Sequence, residues 1–101
     1  MNVFRQGDVV LRQADIPNDA VEKKGIVLAE GEVTGHAHRI NNPTTAKLFI
    51  TPKGLLFVHV TSPTEITHEE HESVMLPVGD WAVNIQREYD WFNEEVRNVA
   101  D

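Results

Sequence analysis

Cysteine is absent from the chain, which excludes a disulfide framework and any thiolate-held metal. A transition metal would have to be bound by imidazole, carboxylate or backbone oxygen. Long apolar runs are missing too. Nothing approaches the ~20 residues that a membrane-spanning helix needs, and the N-terminal "MNVFRQGDVVL" has no basic leader followed by an apolar core. The expectation is a cytoplasmic protein with no membrane partner. Basic residues are scarce toward the C-terminus: residues 1–64 carry 7 basic and 6 acidic groups, residues 65–101 only 2 basic against 10 acidic. Such a surface repels phosphate backbones and attracts cations, so no nucleic-acid partner is expected.

The remaining composition is ordinary. A hydrophobic fraction of 41% and a charged fraction of 25% describe a globular chain rather than a disordered or fibrous one. A core built from 101 residues buries roughly 60–70% of the unfolded surface, which leaves little for a second core. Residues 1–101 are therefore read as a single β domain.

Apolar residues alternate or form short runs, interrupted by glycine and proline at intervals too short for helices. The pattern predicts strands near 3–5, 8–13, 25–29, 36–40, 46–50, 55–61, 73–76 and 81–87. Between them lie "IPND", "NNPTT", "TPKG", "TSPT" and "LPVGD", in which proline fixes φ and Gly or Asn accepts left-handed geometry. About eight short strands in so small a chain imply an all-β antiparallel barrel or sandwich, because an open sheet leaves one apolar face uncovered. Residues 90–101 differ. Phe92, Val96 and Val99 recur at helical spacing behind a capping Asp90, which predicts an acidic C-terminal helix or tail.

Chemistry concentrates in two runs, "GHAH" at 35–38 and "THEEHE" at 67–72, which hold four of the five histidines. Alternation along a strand puts His36 and His38 on one side, as a chelating His-x-His requires. His68 and His71 are three apart, so a turn or bulge at Glu69–Glu70 is needed to bring them together. If both pairs meet, His36, His38, His68 and His71 form a four-imidazole site for a divalent transition metal, zinc above all; a three-histidine version would add Glu70 or Glu72. A closed site is structural, whereas an open position would polarise water for hydrolysis with Glu69 or Glu70 as general base. Against this stands a solvent-facing patch in which the same imidazoles pair with Glu69, Glu70 and Glu72, without metal. A second class of function is an assembly module, a homo-oligomer subunit or phage accessory protein with a His/Glu interface. His59, in "LLFVHVT", reads as a partly buried structural residue, and Gly7-Asp8 as a turn before a strand. Trp81, Val83 and Ile85 form the expected core face of the last strand.

Two resemblances follow from these motifs. "GHAH" followed by "LPVGDWAVNI" resembles a partial cupin: His36 and His38 match the paired histidines, Pro77 and Gly79 the later turn. That resemblance implies a metal inside a β-barrel and small-molecule chemistry, although Ala82 stands where the third ligand is expected. The combination of Gln6–Val9, Gly35–His38, His68–His71 and Gln86–Tyr89 also resembles small bacterial and phage proteins sharing these four motifs. This second resemblance supports the choice of site residues and implies no activity.

Overall fold

β-Branched and aromatic residues alternate with polar ones along most of the chain, and a strand sends successive side chains to opposite faces. The computed structural model describes residues 3–31 and 33–86. In it the pattern becomes ten strands: β1 Val3–Gln6, β2 Val9–Gln13, β3 Val21–Lys23, β4 Val27–Glu30, β5 Ala37–Ile40, β6 Ala46–Ile50, β7 Leu56–Val60, β8 Thr64–Thr67, β9 Val74–Leu76 and β10 Gly79–Ile85. They pair antiparallel into a six-stranded sheet, β1-β2-β10-β7-β6-β3, and a four-stranded sheet, β4-β5-β8-β9. The fold is all-β, without a helix among the described residues, and the sheets do not close into a barrel. No helix among the described residues is long and apolar enough to cross a membrane.

Both sheets feed one core. Val9, Leu11, Leu48, Val58 and Trp81 from the six-stranded sheet pack with Leu28, Ile40, Ile66 and Leu76 from the four-stranded one. Phe4 meets Trp81 edge-to-face at 5.3 Å, and the indole N–H donates to the Pro77 carbonyl, so the Trp keeps its polar atom satisfied while its ring is buried.

Two strands exceed the sequence expectation. β3 has all three residues exposed, so it carries no hydrophobic signature and exists by pairing Val21, Glu22 and Lys23 with Ile50, Phe49 and Leu48 of β6. β8 does alternate, with Thr64 and Ile66 buried, but it follows Pro63 directly and reads as a continuation of that turn. Ile85 corrects the expected core face of the last strand: Trp81 is buried, but Ile85 is 49% exposed. The expected helix or tail at 90–101, with Trp91 and Phe92, lies outside the described residues, as does Arg87.

The sheets have two seams. At one, β1 approaches β8 and β9, and Gln6, buried at the end of β1, donates from Nε2 to the carbonyls of Ile66 and Glu72, each at 2.9 Å. At the other, β3 and β4 flank an apolar groove of about 400 Å³ whose lining includes Lys23, Val27, Leu28, Leu55, Val83 and Ile85. No histidine lines this groove.

Ile66 is 0% exposed at the centre of the shared core. Ile66→Ala is expected to cost about 2–5 kcal/mol from lost transfer energy and the cavity left behind. Val21→Ala, at a position 63% exposed, should stay within about 0.5 kcal/mol. Urea midpoints measure both, and equal effects would contradict this placement of the core.

Candidate metal centre

Gly35 takes φ +87°, the left-handed geometry that glycine alone adopts without strain. The chain turns there, and the turn is locked by His36 N–H donating to the Val33 carbonyl and Gly31 N–H donating to that of His36. The turn delivers His36 to the mouth of β5 and His38 into it, where His38 is 1% exposed. The other pair comes from the loop after β8. Glu70 N–H donates to Nδ1 of His68 at 3.0 Å, which folds the backbone into a bend and resolves the three-residue spacing: the His68 and His71 rings lie 4.6 Å apart between centroids.

The four imidazoles meet around His68. Its ring lies 4.4 Å from that of His38 and 5.8 Å from that of His36, while His38 and His71 stack at 6.0 Å. Two glycines make room. A Cβ on Gly31 would sit 3.1 Å from Nε2 of His68, and one on Gly7 would sit 2.5 Å from Nε2 of His71. Gly7 also holds φ +58°, so the β1–β2 turn needs glycine for its backbone as well as for this ring.

Gln6 orients the innermost histidine. Its carboxamide nitrogen donates to two carbonyls, so its oxygen must face Nδ1 of His38, 2.8 Å away. The reversed amide would set oxygen against two carbonyl oxygens. Nδ1 of His38 therefore carries the proton, and in the neutral ring Nε2 carries the lone pair. Burial pushes the His38 imidazole below its ordinary 6.5; His68 and His71 add to this, and the Asp8 carboxylate opposes it. The Asp8 carboxylate stands 3.6 Å from Nε2, where it would attract a cation held on that nitrogen.

His36 Nδ1 lies 2.8 Å from Glu70 Oε2. That is close enough for attraction between charges, but the carboxylate sits off the donor direction and the buried nitrogen makes no hydrogen bond. His36, His68 and Glu69 each offer a ligand atom, all within 4.8 Å of one another, so this group could hold a metal ion. Of the carboxylates, Glu69 is the most constrained. Arg39 at 2.6 Å and the Ala37 N–H at 2.9 Å lower its pKa to about 2. So weak a base takes little proton from water at neutral pH, which argues against Glu69 as a general base.

His59, partly buried as expected, belongs to β7 of the six-stranded sheet and pairs with Asp80 of β10 at 2.6 Å, outside the cluster. The Gln6-Gly7-Asp8 run is a turn, as expected, and also one wall of the histidine cluster. Glu72 enters through its backbone carbonyl, held by Gln6. Gln6 itself carried one sequence signal, an amide next to a turn in a strand that packs apolar residues, and chain order gives no hint that it reaches β5.

Residues 5–86 match a family described as a domain of unknown function, DUF8820. No curated protein and no solved structure matches the chain.

Gln6→Ala removes the partner of His38, of the buried Ile66 carbonyl and of the part-buried Glu72 carbonyl, and should lower stability, read from the denaturant midpoint, by about 1–3 kcal/mol. A variant as stable as the parent would show that the amide is not the clamp described. A pH series tests the His38 environment. Its pKa is lower folded than unfolded, so the unfolded chain takes up the proton first. Stability in chelator should be full above pH 6.5 and fall as the pH drops through the lowered folded value. A flat midpoint across that interval would contradict burial of the neutral ring.

Proposed function

We propose that this chain, which belongs to the DUF8820 family of domains of unknown function, binds one divalent transition metal at the seam between its sheets. Zinc is the ion best suited to a cysteine-free set of imidazoles and carboxylates held near one point. The ligands come from His36 and His68, whose ligand atoms lie with that of Glu69 within 4.8 Å of one another, and from His38 and His71, whose rings adjoin that of His68. The observation that carries the reading is the meeting of four rings from two distant chain segments, with centroids 4.4–6.0 Å from neighbouring rings. One of those rings, His38, is already fixed by Gln6 with its lone pair on Nε2.

A polar surface patch would not require this arrangement. Solvent-facing imidazoles gain little from being crowded, and one that becomes charged repels its neighbours. His38 is buried and oriented by a side chain whose other bonds join the two sheets, the outer-sphere support that metal-ligating histidines have. An ion held here would tie β5 to the β8–β9 loop and so stabilise the fold by binding the native state alone. Simple binding of this kind accounts for the cluster without a reaction.

Elemental analysis of protein purified without an affinity tag, followed by zinc calorimetry, tests the proposal. One zinc per chain is expected. At free zinc 100-fold above Kd the native state should gain about 2.7 kcal/mol, a rise in Tm on the order of 10 °C for a domain of this size. His38→Asn and His68→Asn should each weaken binding about 10-fold or more. Gly7→Ala should weaken it too, since the new Cβ drives His71 outward. A metal-free preparation whose Tm is unchanged by zinc would remove the proposal.

A further inference from the structure

The four imidazoles are not equally ready to take an ion. His38 presents a lone pair on Nε2, because Gln6 holds its proton on Nδ1. His68 is in the opposite state. Its Nδ1 accepts the Glu70 N–H at 3.0 Å, so in the neutral ring the proton sits on Nε2. One nitrogen is occupied by a donor and the other by a proton, and neither offers the lone pair that a metal bond requires.

Two routes lead from this state to coordination. The ion could displace the Glu70 N–H from Nδ1, leaving the proton on Nε2. Alternatively, solvent could carry the proton from Nε2 to Nδ1, freeing Nε2 for the ion with no net proton released. The new Nδ1–H would then face the Glu70 N–H, donor against donor. Both routes end with the same hydrogen bond broken.

The segment this releases is short, because its flanks are held elsewhere. Glu69 is fastened by Ala37 and Arg39, and the Glu72 carbonyl by Gln6. Between these two anchors lie only Glu70 and His71, both exposed.

We infer that ion capture by the cluster re-forms the Glu70–His71 segment of the β8–β9 loop, so that occupancy of a partly buried site is displayed on the surface. This rests on the metal-binding reading above and adds a regulatory consequence to it. Coordination by His68 and the hydrogen bond that defines the bend exclude each other, so the loop has two states and the ion selects between them. His38 anchors the ion in a preformed position, and His68 reports it.

Histidine side-chain and backbone amide NMR on the full chain at pH 8 is the test, first in chelator and then with one equivalent of zinc. Calorimetry on the same sample counts bound ions. The metal-free protein is expected to show the Nδ1–H form of His38 and the Nε2–H form of His68. Zinc should shift the Glu70 amide resonance and lower its exchange protection about 10-fold, while the Ile40 and Val58 amides stay in place. Zinc bound by calorimetry with the Glu70 amide unmoved would overturn the inference and leave the metal site standing. Failure to bind zinc would overturn both.

Discussion

The carboxamide of Gln6 is the point on which both the fold and the candidate site depend. It sits at the end of an edge strand of the six-stranded sheet, donates to two carbonyls of the segment spanning β8 and the loop before β9, and accepts from a histidine of β5. Three bonds from one side chain fix three chain segments relative to one another. Burial raises the stakes, because every partner left without its bond would carry an unsatisfied polar group out of water. The same geometry that joins the sheets sets the proton on His38. Structural and chemical roles are therefore one arrangement here, and substitutions at Gln6 would disturb both.

Crowding imidazoles has an electrostatic consequence that the fold manages by burial. His38, removed from water, resists charging, and the neighbouring His68 and His71 add to that cost. Both effects push His38 toward its neutral form, the form with a lone pair to give. The carboxylates are placed differently. Asp8 and Glu70 lie beside ring nitrogens, whereas Glu69 is neutralised by Arg39. Asp8 and Glu70 thus favour a cation electrostatically, whereas Glu69, which shares the space of His36 and His68, is also fastened to β5 by Arg39 and the Ala37 N–H.

The all-β character and most strands were legible because alternation and turn chemistry are local properties. Thr64–Thr67 was obscured by the proline before it, and Val21–Lys23 had nothing to show, being a strand by virtue of its neighbour alone. The two histidine runs were legible as a cluster of like residues, His36 and His38 by their one-residue spacing and His68 and His71 only through a bend between them. Their meeting depends on antiparallel pairing of β5 with β8, through Arg39 with Thr67 and Ile40 with Ile66, which no local pattern specifies. Gln6 was the least legible of the site residues. A glutamine at a strand end has many unremarkable roles, and its function arises only when residues some sixty positions away come within hydrogen-bond reach.

The contrast between His38 and His68 bears on how such a site is selected. If every ligand were preformed, the ion would bind to a rigid cradle and occupancy would leave no mark on the surface. With one ligand held in a competing hydrogen bond, part of the binding energy goes into breaking it, a loss of about 0.5–1.5 kcal/mol for a neutral bond. That loss lowers affinity by roughly two- to twelvefold at 1.4 kcal/mol per decade. In exchange the proposed site would give the protein a conformational difference between its empty and loaded forms. The loop is pinned at Glu69 and Glu72, so a change of this kind would stay local and the core of Leu11, Ile40 and Ile66 would not need to respond. A histidine pair spaced for neither a strand nor a long helix, held by one amide hydrogen bond, is well suited to such a bistable element.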